Sequence, residues 1–71
     1  MEKTATISIE GMSCEHCVRA VNDALSSQNG VKSVDVSLEG KNARVVYDDE
    51  HIQLSDLESA ILDEGYQVPQ G

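Results

Sequence analysis

Aromatic side chains are almost missing from this chain: Tyr47 and Tyr66 are present, with no Trp and no Phe. Any interior must therefore be aliphatic, built from Ile, Val, Leu and Ala. Single-stranded nucleic acid needs aromatic platforms on which bases stack, and none can be assembled here. Positive charge is also scarce. Five basic side chains stand against 13 acidic ones, giving a formal net charge of -8. A phosphate backbone would be repelled, so nucleic acid is excluded as a partner. The same field favours a soluble monomer in the metal-free state and a partner that is basic, at least locally. No apolar run reaches the length of a signal peptide or a membrane span, so no membrane insertion is expected. The chain is accordingly expected in the cytoplasm, where thiols stay reduced. With 71 residues there is room for one domain, spanning residues 1–71, and one modest core. A chain this short buries only about 60% of its unfolded surface, which leaves no space for a deep catalytic cleft. Its chemistry must sit at the surface, and no enzymatic activity is expected.

What is present is strongly patterned. From Thr4 to Glu10 the apolar residues Ala5, Ile7 and Ile9 alternate with Thr6, Ser8 and Glu10, as in a half-buried strand. From Cys17 to about Ser27, Val18, Val21 and Leu25 form a helical stripe widened by Ala20 and Ala24, and Asn29-Gly30 stops it. Val34, Val36 and Leu38 predict a second strand, Glu39-Gly40-Lys41 a hairpin turn, and Ala43, Val45 and Tyr47 a third strand. Asp48-Asp49-Glu50 reads as a solvated turn. Leu54, Leu57 and Ile61 with Ala60 repeat the helical stripe, and Ser55 with Glu58 has capping-box spacing. Gly65 closes that helix, Gln67-Val68 can form a last short strand, and Pro69 stops pairing.

The order β-α-β-β-α-β fits a split βαβ arrangement, an α+β sandwich with a four-stranded antiparallel sheet and two helices on one face. This topology gathers three connections at one end: Gly11 to Glu15, Glu39 to Lys41, and Gly65-Tyr66. Tyr66 is thus expected beside the first loop, and His51 at the opposite end.

That first loop carries the chemistry. Residues 11–18 read Gly-Met-Ser-Cys-Glu-His-Cys-Val, ending a strand and opening a helix. Free N–H groups and the positive end of the helix dipole favour anionic sulfur there, and the thiolate is the metal-binding form. Cys14 and Cys17 together make a soft two-sulfur site, suited to a soft closed-shell ion. A structural disulfide is a poor alternative, because so short a loop removes little unfolded-state entropy. A closed zinc site needs four ligands, and His16, between the cysteines, cannot readily join both. His16 reads as a solvent-facing residue that could also bridge to a partner. A thiol–disulfide oxidoreductase would share the Cys-x-x-Cys, yet the only proline is Pro69, far from the cysteines.

Gly11-Met12-x-Cys14-x-x-Cys17, Gly30-Val31, the aliphatic strand pattern and Glu64-Gly65-Tyr66 resemble the heavy-metal-associated domain family, especially its bacterial copper chaperones of the CopZ type. The resemblance covers almost the whole chain. It implies a ferredoxin-like fold and Cu(I) held by Cys14 and Cys17. Delivery would be to the metal-binding domain of a copper-transporting P-type ATPase or to a copper-responsive repressor, and a copper-bridged dimer is allowed. It also implies that Met12 turns inward beneath the loop and that Tyr66 shields the ion. Zinc carriers in the family tend to have an acidic residue where this chain has Ser13, which tilts the expectation to copper. Met1 and the complete pattern are read as a free-standing carrier rather than an excised transporter module.

Overall fold

The computed structural model describes residues 1–69. Strands β1 (Glu2–Ser8), β2 (Val31–Ser37) and β3 (Asn42–Asp48) and helices α1 (Glu15–Ser26) and α2 (Leu54–Asp63) follow the order β1-α1-β2-β3-α2. β3 lies in the middle and pairs antiparallel with both neighbours, so β1 and β2 run in the same direction. A connection between such strands must cross over the sheet, and α1 makes that crossing.

The register explains the single core. Ala5 opposes Val45 and Ile7 opposes Ala43 across β1 and β3, while Val34 and Val36 meet the same two residues from β2. Directly opposed residues share a face, so these side chains point the same way. Val21 and Leu25 of α1 and Leu57, Ala60 and Ile61 of α2 are buried in one cluster with that face. Both helices therefore cover one side of the sheet. The other side carries Thr6, Arg44 and Asp35 in one cross-strand row, all exposed.

Three expectations need correction. Among the described residues the sheet has three strands rather than four, because the last segment makes only an isolated bridge between Glu10 and Gln67. Its two hydrogen bonds, Gln67 N–H to the Glu10 carbonyl at 2.9 Å and Glu10 N–H to the Gln67 carbonyl at 2.8 Å, hold the segment to the outer side of β1. Pro69 has no N–H with which to extend this pairing. The start of α2 also differs. Its cap is Gln53 with Asp56, whose carboxylate accepts the Gln53 N–H at 3.0 Å, not Ser55 with Glu58. Leu54 is then 41% exposed, and Ile52, 5% exposed, fills the core in its place. Finally, the acidic turn is not merely solvated. Asp49 lies 3.5 Å from Lys3 Nζ and 3.1 Å from the terminal ammonium, which also stands 3.3 Å from Asp48. These cations hold the Asp48 and Asp49 carboxyls below their usual range; the main cause for Asp48 is a backbone hydrogen bond from Glu50 and for Asp49 the bond from the ammonium.

Ile52 reaches the core over Gly30, which turns the chain from α1 into β2 with φ of 99°. A Cβ at residue 30 would lie 2.9 Å from Ile52 Cγ2 and 3.0 Å from His51 Cβ. Gly30→Ala should therefore destabilise the fold by about 2–3 kcal/mol, from a left-handed backbone strain of about 1–3 kcal/mol plus the clash. Urea unfolding measures this; a loss below about 1 kcal/mol would show that the turn relaxes freely.

Candidate metal centre

Helix α1 begins at Cys14. Its backbone is extended, with φ of -156° and ψ of 170°, and its carbonyl accepts the N–H groups of Cys17 at 3.1 Å and Val18 at 3.3 Å. Cys14 is thus the N-cap and Cys17 the third residue of the helix. This is the spacing at which a capping side chain normally meets its partner one turn on. Here the Cys14 side chain makes no capping bond. Its sulfur instead faces that of Cys17, with Sγ–Sγ of 3.4 Å and no disulfide. A Cys-x-x-Cys placed from N-cap to third position therefore projects two thiols to the same side of the helix mouth. Cys14 is exposed and Cys17 half-buried.

Tyr66 arrives from the other end of the chain, as the topology predicts. The Glu10–Gln67 bridge sets it beside the loop, and Gly11, lacking a side chain, leaves room for its ring. A Cβ there would lie 3.3 Å from Tyr66 Cδ1. The Tyr66 hydroxyl is placed to donate to a Cys17 thiolate. That bond is the first cause, with the Ser13 backbone N–H second and the Cys14 side chain third, that brings the Cys17 thiol from 9.0 down to about 6. The same bond, aided by burial, pushes the Tyr66 phenol up to about 12, because only the protonated hydroxyl can donate. Both shifts favour one state: Cys17 as thiolate and Tyr66 as neutral phenol near pH 7.

The remaining residues divide clearly. Met12 is 7% exposed and belongs to the core cluster, against which Cys17 also packs. His16 is exposed on the first turn. His51 lies at the far end, 3.7 Å from Asp48. Among the described residues no group of three or more His, Cys, Asp or Glu could hold a metal ion. The arrangement is chemically a two-sulfur clip, with the Cys17 thiol held below its ordinary range and the Cys14 side exposed. Residue types in the sequence carry no sign of the Ser13 amide, because every residue but proline has one; only the fold aims it at Cys17.

Comparison with known proteins places this geometry. The heavy-metal-associated domain profile matches residues 6–67. The copper chaperone CopZ of Staphylococcus saprophyticus is 48% identical over 65 residues, covering 92% of this chain and 96% of that protein. A solved structure of a CopZ metallochaperone superposes with a TM-score of 0.92 at 43% identity, covering 94% of this chain and 100% of that one. The N-terminal domain of a potential copper-translocating P-type ATPase from Bacillus subtilis, solved in its Cu(I)-loaded state, gives a TM-score of 0.90 at 29% identity, covering 96% and 85%.

The hydrogen bond from Tyr66 sets a pH dependence. Residue-resolved alkylation should show Cys17 reacting half-maximally near pH 6, and Tyr66→Phe should move that midpoint upward. Because the folded thiol titrates lower than the unfolded one, its contribution to stability is full above pH 9.0 and is lost as pH falls through about 6. An unchanged midpoint in the Phe variant would remove Tyr66 from this role.

Proposed function

The chain belongs to the heavy-metal-associated domain family, and from that membership we propose that it is a copper(I) carrier, binding a single ion between Cys14 and Cys17 and handing it to a protein acceptor. The observation that carries the reading is the pair of free sulfurs 3.4 Å apart at the mouth of α1, with one side open. Two thiolates are soft donors and select a soft monovalent ion over hard ones. The relative named as a copper chaperone and the structure named as a metallochaperone support copper as the cargo.

Handover follows from the low coordination number. Cys14 is the more exposed sulfur and the one that an acceptor meets first. An acceptor thiolate adds as a third ligand and one Cu–S bond to the carrier breaks; a second acceptor thiolate then displaces the remaining carrier sulfur, and protons given up by the acceptor thiols are available to the freed carrier site. The ion exchanges ligands without passing through water. Tyr66 and the Ser13 amide stabilise the Cys17 anion, so they favour both capture and the resting charge of the released site. The carrier performs no chemical turnover.

The acceptor class favoured here is the metal-binding domain of a copper-transporting P-type ATPase, whose fold a solved relative shares; a copper-responsive repressor is the second candidate acceptor. Among the described residues no helix is long and apolar enough to cross a membrane. The reduced thiols require a reducing compartment, and we place the protein in the cytoplasm.

Anaerobic titration against a chromophoric copper(I) chelator should give one ion per chain. Cys14→Ser and Cys17→Ser should each lower affinity by well over tenfold, that is by more than about 1.4 kcal/mol. Equimolar zinc should leave the copper stoichiometry unchanged. Retention of the ion by either serine variant, or displacement by zinc, would contradict the proposal.

A further inference from the structure

The segment that carries Tyr66 is attached to the fold by little. Residues 65–69 lie outside every strand and helix, and the Glu10–Gln67 bridge ties them down with two hydrogen bonds of 2.8 and 2.9 Å. Tyr66 and Val68 pack against the core, yet both stay half-buried. On the upstream side the Tyr66 N–H reaches the Ile61 carbonyl only at 3.4 Å. On the downstream side Pro69 has no N–H with which to continue the pairing. The backbone one residue before the bridge is held differently. Ile9 is 1% exposed, and its N–H donates to the Lys41 carbonyl at 2.8 Å.

The segment also starts on a pivot. Gly65 has φ of 93°, and a Cβ built there would find no heavy atom within 4 Å. Glycine turns at low steric cost, and here no packed neighbour opposes it. The Tyr66 ring in turn rests against Gly11, where no side chain interlocks with it. A stretch with few buried contacts and two hydrogen bonds near the surface opens at a lower free energy than the sheet beside it. Its position gives that opening a consequence. Tyr66 stands beside Cys17, the half-buried sulfur, whereas Cys14 is exposed. An incoming ligand meets an ion freely on the Cys14 side, but breaking the last bond, to Cys17, needs room where the phenol lies.

We infer that residues 65–68 form a hinged latch, which swings on Gly65 and parts at the Glu10–Gln67 bridge, and that its opening gates the loss of the Cys17 bond to the departing ion. Gln67 is then a positioning residue, since its N–H holds Tyr66 at the site without touching the ion. The inference rests on the carrier reading and adds what controls the second ligand exchange. Closed, the latch retains the ion between encounters; open, it yields it.

Native-state hydrogen exchange on the reduced, copper-loaded chain reads the opening directly. The Glu10 and Gln67 amides should exchange together, at least about tenfold faster than the Ile9 amide. Low urea should change their rates little, because a local opening exposes little surface. Release is then timed by stopped flow into excess chromophoric copper(I) chelator. Gln67→Pro deletes the N–H donated to Glu10; it should still bind one ion and release it at least about tenfold faster. Tyr66→Ala should also speed release, and the double variant should be no faster than the faster single, because both act through one opening. Glu10 and Gln67 amides that exchange only in step with Ile9 would overturn the inference. So would a Gln67→Pro chain that loses Glu10 protection yet keeps the wild-type release rate, or a double variant in which the two effects multiply. Should Gln67→Pro fail to fold, the exchange pattern of the wild-type chain and the release rate of Tyr66→Ala decide the matter. A wild-type chain that retains no copper before mixing would overturn the carrier reading instead.

Discussion

A helix must begin somewhere, and in this protein it begins on a cysteine. The carbonyl of Cys14 accepts the first two helical N–H groups of α1, which fixes the backbone of Cys14 in an extended conformation and that of Cys17 in the first helical turn. That constraint sets the distance between the sulfurs. It also leaves the N–H groups of the first turn without helical partners, which gives the site a positive bias independent of any charged residue. Capping side chains usually neutralise this feature locally. Leaving the Cys14 sulfur uncapped reserves it for an external partner, and the rest of the molecule can be understood as holding that start in place.

The holding is done from two sides. Met12 and Ile9 anchor the loop from below by burial, at 7% and 1% exposure. Tyr66 braces it laterally, carried there by the two-bond bridge between Glu10 and Gln67. A mere bridge, rather than a full fourth strand, suffices because it needs to fix one residue. The phenol then does for Cys17 what a basic side chain does in other thiol sites, lowering the pKa by a hydrogen bond instead of a charge.

Much of this was readable in the residues, for physical reasons that also explain what was not. The strands and helices announce themselves because Ala5, Ile7 and Ile9 and the Val21–Leu25 stripe have no other way to bury themselves in a chain with so few aromatics. The approach of Tyr66 to the cysteines follows from topology alone, since connections on one end of a split βαβ sheet converge. The start of α2 is not legible locally, because Gln53-Asp56 and Ser55-Glu58 have equal capping spacing, and the choice is made by Ile52 entering the core beside Gly30, a long-range fact. In the sequence the acidic turn reads as solvated, because its partner Lys3 is remote and meets it only through the pairing of β1 with β3. The Ser13 amide carries no sequence signal at all. Family membership brought copper to the reading; thiol spacing and softness alone would have ended at a soft metal.

The central claim is the ligand set, and X-ray absorption at the copper edge addresses it most directly. For reduced protein loaded with less than one equivalent of Cu(I), the account predicts a near-linear site with sulfur as the sole neighbour and a coordination number near two. A nitrogen or oxygen scatterer in the first shell, as His16 would supply, or a four-coordinate site would contradict it.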